Sequence, residues 1–412
     1  LHQGDNVIYM ISKTKYTLVG INFWPEPTGN SPYNTGLAER LEHEGELQVI
    51  TGVPHYPWWK KQSDHSDSNY LEKHPSIILT RVNHFVPKRQ SNISRAVMEI
   101  DFGLRAIASG NLCGEKIILV SPAMLSSALV LWWLRIFRKQ SKVLLWVQDL
   151  YEQGLDETTR GRGVLPKIVV RIENWLLSNV DQVVFAHPRF LSVKNLENES
   201  QRYSVLANWS HFQYLPSESS DQTRRRYGFG KTKVILHIGN MGVKQGLEYV
   251  LFAAKRAQKE NLKFMFVFVG GGNQIENLKN YATQNLLTNV EFLEPVTEVE
   301  LSNLMNSADV LLVHESPGVK EMSIPSKLST YFLTGRPVLV CSEPDSLAGK
   351  TVRESGTGLW AKSGEASELI SGIERILFQE SHDMINRALL FAKENLDKTD
   401  SLDKFKAIID QL

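Results

Sequence analysis

The sequence predicts an α/β protein with two doubly wound, parallel-sheet domains facing across a cleft. Three observations carry this. Short apolar runs alternate with amphipathic stretches from Tyr16 to Ala186 and again from Val234 to Cys341. That is the pattern of βαβ units whose strands are buried on both faces. A polar stretch, residues 215–233 (LPSESSDQTRRRYGFGKTK), separates the two series and lacks a buried pattern. Many of the apolar runs end in glycine or in a helix start, and the carboxyl ends of parallel strands are where such folds bind ligands. A chain of 412 residues also suits two cores better than one. The expected division is an extension over residues 1–14, a first domain over 15–212, a linker over 213–232, a second domain over 233–385 and a helix over 386–412 that crosses back to the first domain.

The first series opens with a strand from Tyr16 to Asn22 and the loop-and-helix stretch FWPEPTGNSPYNTGLAERL, whose helix ends before Gly45. The strand Leu47–Thr51 leads into GVPHYPWW, where two prolines hold His55 and Tyr56 in a rigid corner. Aromatic packing or a ligand-contacting loop both account for that corner. Asn69–His74 reads as loop and Ile77–Val82 as strand. Residues 87–109 read as an amphipathic helix carrying Lys88, Arg89, Arg95 and Arg105, either a half-buried surface helix or one that contacts anionic lipid. Ile117–Phe137 is apolar enough to raise a membrane span. Ser121-Pro122 splits it, and Arg135, Arg138 and Lys139 close it, so a strand and a buried helix are expected instead. The strand Lys142–Val147 ends in Gln148-Asp149-Leu150. A carboxylate at such a tip, Asp149, either orients a hydroxyl or stabilises developing positive charge, or else caps a helix. A helix over 163–179, a strand over 181–186 and a short last strand at Val205-Leu206 complete the series.

The second series places Gly239, Gly242 and Gly246 after the strand ending at Ile238, with Lys244 among them. Glycines let backbone amides approach a phosphate, and a lysine adds charge. Phe264–Val269 ends in Gly270-Gly271-Gly272, and Val290–Leu293 ends in Glu294-Pro295. The strand beginning at Val310 is followed by a polar loop to Ile324. Pro325 then suits the first turn of a helix running from Ser326 to Thr334 and stopped by Gly335. Ser326 and Lys327 sit in that first turn, where a cation opposes the helix dipole unless an anion compensates. A diphosphate is the expected anion; a solvated surface lysine is the alternative.

Charge is balanced, at a formal net of +1, so a strongly basic nucleic-acid binder is not expected. Cys113 and Cys341 fit no metal or disulfide spacing, which suits a reducing cytosol. Residues before Lys15 lack the apolar core of a signal peptide.

Together, GNMGVKQGLE, VGGG, ADVLLVHE and PSKLSTYFLTGRPV, each in its place after a strand, resemble the GT-B glycosyltransferases of family 4. The resemblance is to the bacterial polysaccharide and O-antigen enzymes of the colanic-acid and N-acetylfucosamine-transferase types. FWPEPTGNSPYNTGLAERL, TGVPHYP, WVQDL and ANW agree in the first half. The resemblance implies two Rossmann-like domains and a retaining hexosyltransferase. It implies transfer from a nucleotide-diphosphate sugar, a UDP-sugar being favoured, to a lipid-linked or polysaccharide-precursor acceptor. It implies no cofactor and no metal, in keeping with the lack of a D-x-D motif, and a cytoplasmic enzyme peripheral on the inner face of the plasma membrane. By residue, it implies Asp149, Lys244 and Lys327 in catalysis. Gly239, Asn240, Gly242, Gly270, Gly271, Gly272, Glu294, Pro295, Glu321, Pro325, Ser326 and Thr330 would bind the donor. Gly29, Asn30, Tyr33, His55 and Tyr56 would bind the acceptor. The chain departs from the family at its E-x7-E pair, whose places hold Met322, beside Glu321, and Thr330. Asn240 and Gln245 stand where the family has arginine and lysine, and Glu152 replaces a proline. A nucleotide-sugar epimerase or hydrolase on the same architecture, and a non-catalytic partner subunit, are the competing readings.

Overall fold

The computed structural model describes residues 14–27, 29–62, 67–88, 91–121, 123–148, 164–194, 196, 202–319, 326–378 and 382–412. The chain divides into two compact units. Unit 1 runs to Asn208 and includes Thr399–Leu412; unit 2 is Trp209–Lys398.

Unit 1 holds a seven-stranded sheet of β1 (Tyr16–Val19), β2 (Leu47–Gly52), β3 (Ile77–Val82), β4 (Lys116–Val120), β5 (Lys142–Val147), β6 (Gln182–Phe185) and β7 (Tyr203–Val205). The order is β3-β2-β1-β4-β5-β6-β7. Every pairing is parallel. Unit 2 holds a six-stranded sheet of β8 (Lys233–Ile238), β9 (Phe264–Val269), β10 (Val290–Leu293), β11 (Val310–His314), β12 (Val338–Ser342) and β13 (Leu359–Lys362), ordered β10-β9-β8-β11-β12-β13 and also all parallel. Both are doubly wound sheets whose order reverses in the middle, between β1 and β4 and between β8 and β11. The central strands carry continuous runs of Val, Ile, Leu and Phe because helices cover both faces.

The apolar stretch 117–137 is β4 followed by the helix Met124–Phe137, and no helix among the described residues is long and apolar enough to cross a membrane. Of residues 69–74, expected as loop, 69–73 belong to a helix, Asp67–Lys73. Its sequence is polar, so no periodicity marks it. Tertiary contacts hold it: Tyr70 is buried and stacks on Trp24 at 4.8 Å, and Asp67 takes two hydrogen bonds from Arg81 Nε. The last strand of unit 1 lies at Tyr203–Val205, earlier than Val205-Leu206, because Val183 pairs with Tyr203. The basic helix is shorter than 87–109; it spans Asn92–Ala108, started by a reciprocal cap between Ser91 and Ser94.

The polar stretch 215–233 is built into unit 2. Its helix, Ser220–Arg226, is capped by Ser219, and Arg224 reaches the Ser307 carbonyl at 2.7 Å and Asp309 at 3.1 Å. The tail is two helices. His382–Asn395 stays with unit 2, and Lys398–Asp410 joins unit 1. There Phe405 is fully buried, with its ring 4.7 Å from that of Trp146 on β5, and Arg40 bonds Asp403 at 2.8 Å. Truncating a buried aromatic of this kind costs about 3–5 kcal/mol. Phe405→Ala is therefore expected to lower the urea midpoint of unit 1 at unchanged slope. A midpoint within error of wild type would show that the returning helix does not stabilise unit 1.

Candidate functional site

In unit 2 the tips of β8 and β11 flank the point where the strand order reverses, the place where open α/β sheets form a crevice. Gly239 follows β8 at φ +114° and Gly270 follows β9 at φ +130°, a backbone region open to glycine. The Gly239 N–H donates to the Val269 carbonyl at 2.8 Å, and the Met241 N–H to Gly271 at 2.8 Å. A Cβ on Gly270 would lie 2.3 Å from the Gly239 oxygen, and one on Gly272 would lie 2.5 Å from the Met241 oxygen. These glycines were expected to admit a flat ligand. What Gly270 and Gly272 admit is the neighbouring loop, whereas Gly271 faces open space.

The turn that follows is fastened to β11. The Ser316 N–H donates to the Lys244 carbonyl at 2.8 Å, and His314 Nδ1 donates to the Gln245 carbonyl at 2.7 Å. Gly246, at φ +56°, passes Ser316 where a Cβ would meet its Cα at 2.7 Å. Gln245 Oε1 accepts from the Gly242 N–H at 3.1 Å, so the residue in the family's lysine place closes the turn. Lys244 and Asn240 are exposed at this pole.

Lys327 completes the group. Its helix is described over Ser326–Phe332, with Leu328, Tyr331 and Phe332 buried. The Tyr331 hydroxyl accepts from the Ile238 N–H at 2.9 Å, which ties the helix to the β8 tip. The Lys327 side chain then lies over Gly239, with Cε 3.8 Å and Nζ 3.9 Å from the place of a Gly239 Cβ. A side chain at residue 239 would compete for that space. Thr330, expected at the ribose, turns its hydroxyl back to the Ser326 carbonyl at 3.2 Å. Glu294 and Pro295 are exposed at the end of β10, with Glu294 3.6 Å from Lys279. Glu321 and Pro325 lie outside the described residues.

Sequence reasoning missed the buried polar residues beneath this pole: His237, His314 and Glu315. The signal available was their position at the ends of apolar strands. Burial lowers the pKa of both histidines, and the Lys327 ammonium adds to it; His314 falls to about 4. Both rings are neutral in the folded chain.

In unit 1 the corner made by residues 53–57 is held by a carboxylate that the sequence did not single out. Glu26 is buried, and its Oε1 accepts from the backbone N–H of His55 at 2.7 Å and of Tyr56 at 2.8 Å. Asn22 Nδ2 donates to Oε2 at 2.7 Å. His55 is buried with its ring 4.9 Å from that of His84, whose pKa is lowered to about 4 by burial and then by His55. Gly29, at φ +68°, lies against the Tyr56 ring, and Asn30 Nδ2 donates to the Ser121 carbonyl at the β4 tip at 2.7 Å. Tyr33 is half-buried in the first turn of the next helix, and burial pushes its hydroxyl to about 12. Gly29, Asn30, His55 and Tyr56 thus converge through Glu26 and Ser121. Asp149 lies outside the described residues. Beside it, Gln148 is buried and its Oε1 accepts from Asn208 Nδ2 at 2.6 Å.

The neutral His314 sets a sign for pH. Its folded pKa of about 4 lies below the ordinary 6.5, so the unfolded chain binds its proton first. The stability that it contributes is complete above about 6.5 and is lost as pH falls toward 4. His314→Gln is expected to flatten the decline of the melting temperature across that window. Parallel pH profiles for the two proteins would contradict a buried neutral imidazole.

The model of the family "Glycosyl transferases group 1" matches residues 219–389, inside unit 2. Over 410 residues the chain is 28% identical to WcaI of Escherichia coli K12, a glycosyl transferase assigned to colanic acid biosynthesis, covering 95% of this chain and 98% of WcaI. Among solved structures, sucrose-phosphate synthase from Thermosynechococcus elongatus superposes with a TM-score of 0.73 at 15% identity, covering 97% of this chain and 98% of that one. Anabaena HepE in complex with UDP and glucose superposes with a TM-score of 0.68 at 14% identity, covering 97% and 100%. Residues 219–389 are thus a glycosyl transferases group 1 domain, and the chain that carries it is a glycosyltransferase of the GT-B fold.

Proposed function

We propose that this glycosyltransferase moves a sugar, with retention and without a metal, from a nucleoside-diphosphate sugar to a lipid-linked or polysaccharide-precursor acceptor of the bacterial cell surface. One observation carries the donor half: the Lys327 ammonium lies over Gly239 at the crevice of the unit 2 sheet, with no side chain between them. As the sugar–phosphate bond breaks, negative charge grows on the distal phosphate. A fixed ammonium and nearby backbone N–H groups stabilise it more than they stabilise the ground state. Lys244 adds a second cation at the same pole. The neutral state of His237 and His314 leaves the lysines as the positive charge there. A UDP-sugar is favoured because HepE, of the same fold, is solved with UDP and glucose. The colanic-acid assignment of WcaI supports a surface polysaccharide as product. The acceptor half rests on the Glu26-braced corner of Gly29, Asn30, His55 and Tyr56, with Tyr33 beside it. Asp149 is assigned to orient the acceptor or to stabilise positive charge at the sugar carbon. A bilayer-linked acceptor places the enzyme at the inner face of the plasma membrane.

A second reading has one observation in its favour. The place of the family's second glutamate holds Thr330, whose hydroxyl is engaged by its own helix, which suits a non-catalytic subunit that binds the nucleotide sugar.

Lys327→Ala is expected to cut turnover by ~100-fold with the melting temperature unchanged. Near-normal turnover would remove Lys327 from the mechanism. Asp149→Asn is expected to lose transfer while calorimetry shows donor affinity unchanged; lost donor affinity would reassign Asp149 to the donor. Donor binding by the wild-type chain without turnover on any acceptor would favour the non-catalytic reading.

A further inference from the structure

Among the described residues β13 is the last strand of the unit 2 sheet and pairs only with β12. The helices Leu347–Ser355 and Ala366–Phe378 pack on it. At the amino end of β13, away from the strand tips that carry Gly239 and Lys327, lies a cavity of about 430 Å³. Each of three helices sends one arginine to it: Arg353 from Leu347–Ser355, Arg375 from Ala366–Phe378 and Arg387 from His382–Asn395. Leu359, Trp360 and Met384, all half-buried, give it an apolar wall.

Two of the arginines are held in place. Gly356 ends the first of these helices at φ +63°, and its carbonyl accepts from Arg387 Nε at 2.9 Å. A Cβ at residue 356 would lie 2.7 Å from that nitrogen, so the glycine makes room for the guanidinium. Arg353 lies over the Trp360 ring at 4.8 Å and donates to the Gly349 carbonyl at 3.3 Å and to the Pro344 carbonyl. The Arg375 side chain makes no hydrogen bond or ion pair among the described residues. No described carboxylate lines the cavity, and none of the three arginines is in an ion pair among the described residues. Cations in the last turn of a helix favour its dipole, which accounts for Arg353 and Arg375 being cations. It does not account for Arg387, in the second turn of its helix, nor for the convergence of all three on one hollow. A cleft lined by charge of one sign, beside an apolar wall, focuses its field on whatever enters.

We infer that this cavity is a second anion site, which takes a small phosphate ester with an apolar organic part. A phosphate monoester carries close to two negative charges at neutral pH, and guanidinium forks pair with its oxygens. The organic part would lie against Leu359, Trp360 and Met384. A cavity of this size suits a molecule of metabolite size rather than a phosphorylated chain. The inference needs neither the donor nor the acceptor reading, since no residue of either lines the cavity.

The test is calorimetry on the full chain with phenyl phosphate, inorganic phosphate and phenol. Phenyl phosphate is expected to bind about tenfold more tightly than phenol, less so as salt rises, and about threefold more tightly than inorganic phosphate. Arg375→Gln is expected to weaken it about tenfold at unchanged melting temperature, because that side chain holds nothing else in place. Adding Arg387→Gln should remove binding. The same titrations on Lys327→Ala keep the proposed donor pole out of the measurement, and binding should survive there. No binding at ~10 mM phenyl phosphate would overturn the inference. So would binding that is lost in Lys327→Ala and kept in the double arginine variant. Inorganic phosphate binding as tightly as phenyl phosphate would leave a general anion site and overturn the assignment to an ester. The melting shift caused by UDP, expected to be the same in Arg375→Gln, reports on the donor reading separately.

Discussion

The carbonyl of Gly239 occupies the space where any side chain at residue 270 would begin. The proposed donor pole of unit 2 depends on this constraint. Because two glycines lack Cβ atoms, the loops after β8 and β9 lie backbone to backbone, and their amides are spent partly on each other. The Tyr331 hydroxyl bonds the end of β8 and sets the neighbouring helix, and Lys327 is carried to its place over Gly239. On the proposed function, an ammonium over a bare stretch of backbone acts as a pre-formed anion site, and its worth to catalysis lies in its not having to reorganise during reaction.

Beneath that pole the interior is polar but electrically quiet. His237 and His314 are neutral because charging them would place two more cations in a dry environment beside Lys327. Glu26 performs a related task in unit 1. Its buried carboxylate is spread over two backbone amides and an asparagine amide, and it shapes a loop rather than reacting. In both units buried polar groups thus hold irregular backbone near the ends of strands.

The strands of both sheets were legible because parallel strands buried on two faces read as plain apolar runs, and β8, β9 and β12 need nothing else to be found. The positions at their carboxyl ends followed from the same reading, which is why Gly239, Gly270 and Lys327 were named from sequence. The helix Asp67–Lys73 was not legible, since Tyr70 and Asp67 are held by Trp24 and Arg81, partners distant in sequence. For the same reason Glu26 passed as one more loop residue, and Gly270 and Gly272 were credited to a ligand instead of to a facing loop. A contact between segments leaves no periodicity in either of them.

A crystal structure of the chain with UDP bound tests the Lys327 site most directly. The β-phosphate is expected within hydrogen-bonding distance of Lys327 Nζ, above Gly239, with the loops 239–242 and 270–272 still packed together. A diphosphate bound at another edge of the unit 2 sheet, with Lys327 turned to solvent, would contradict it.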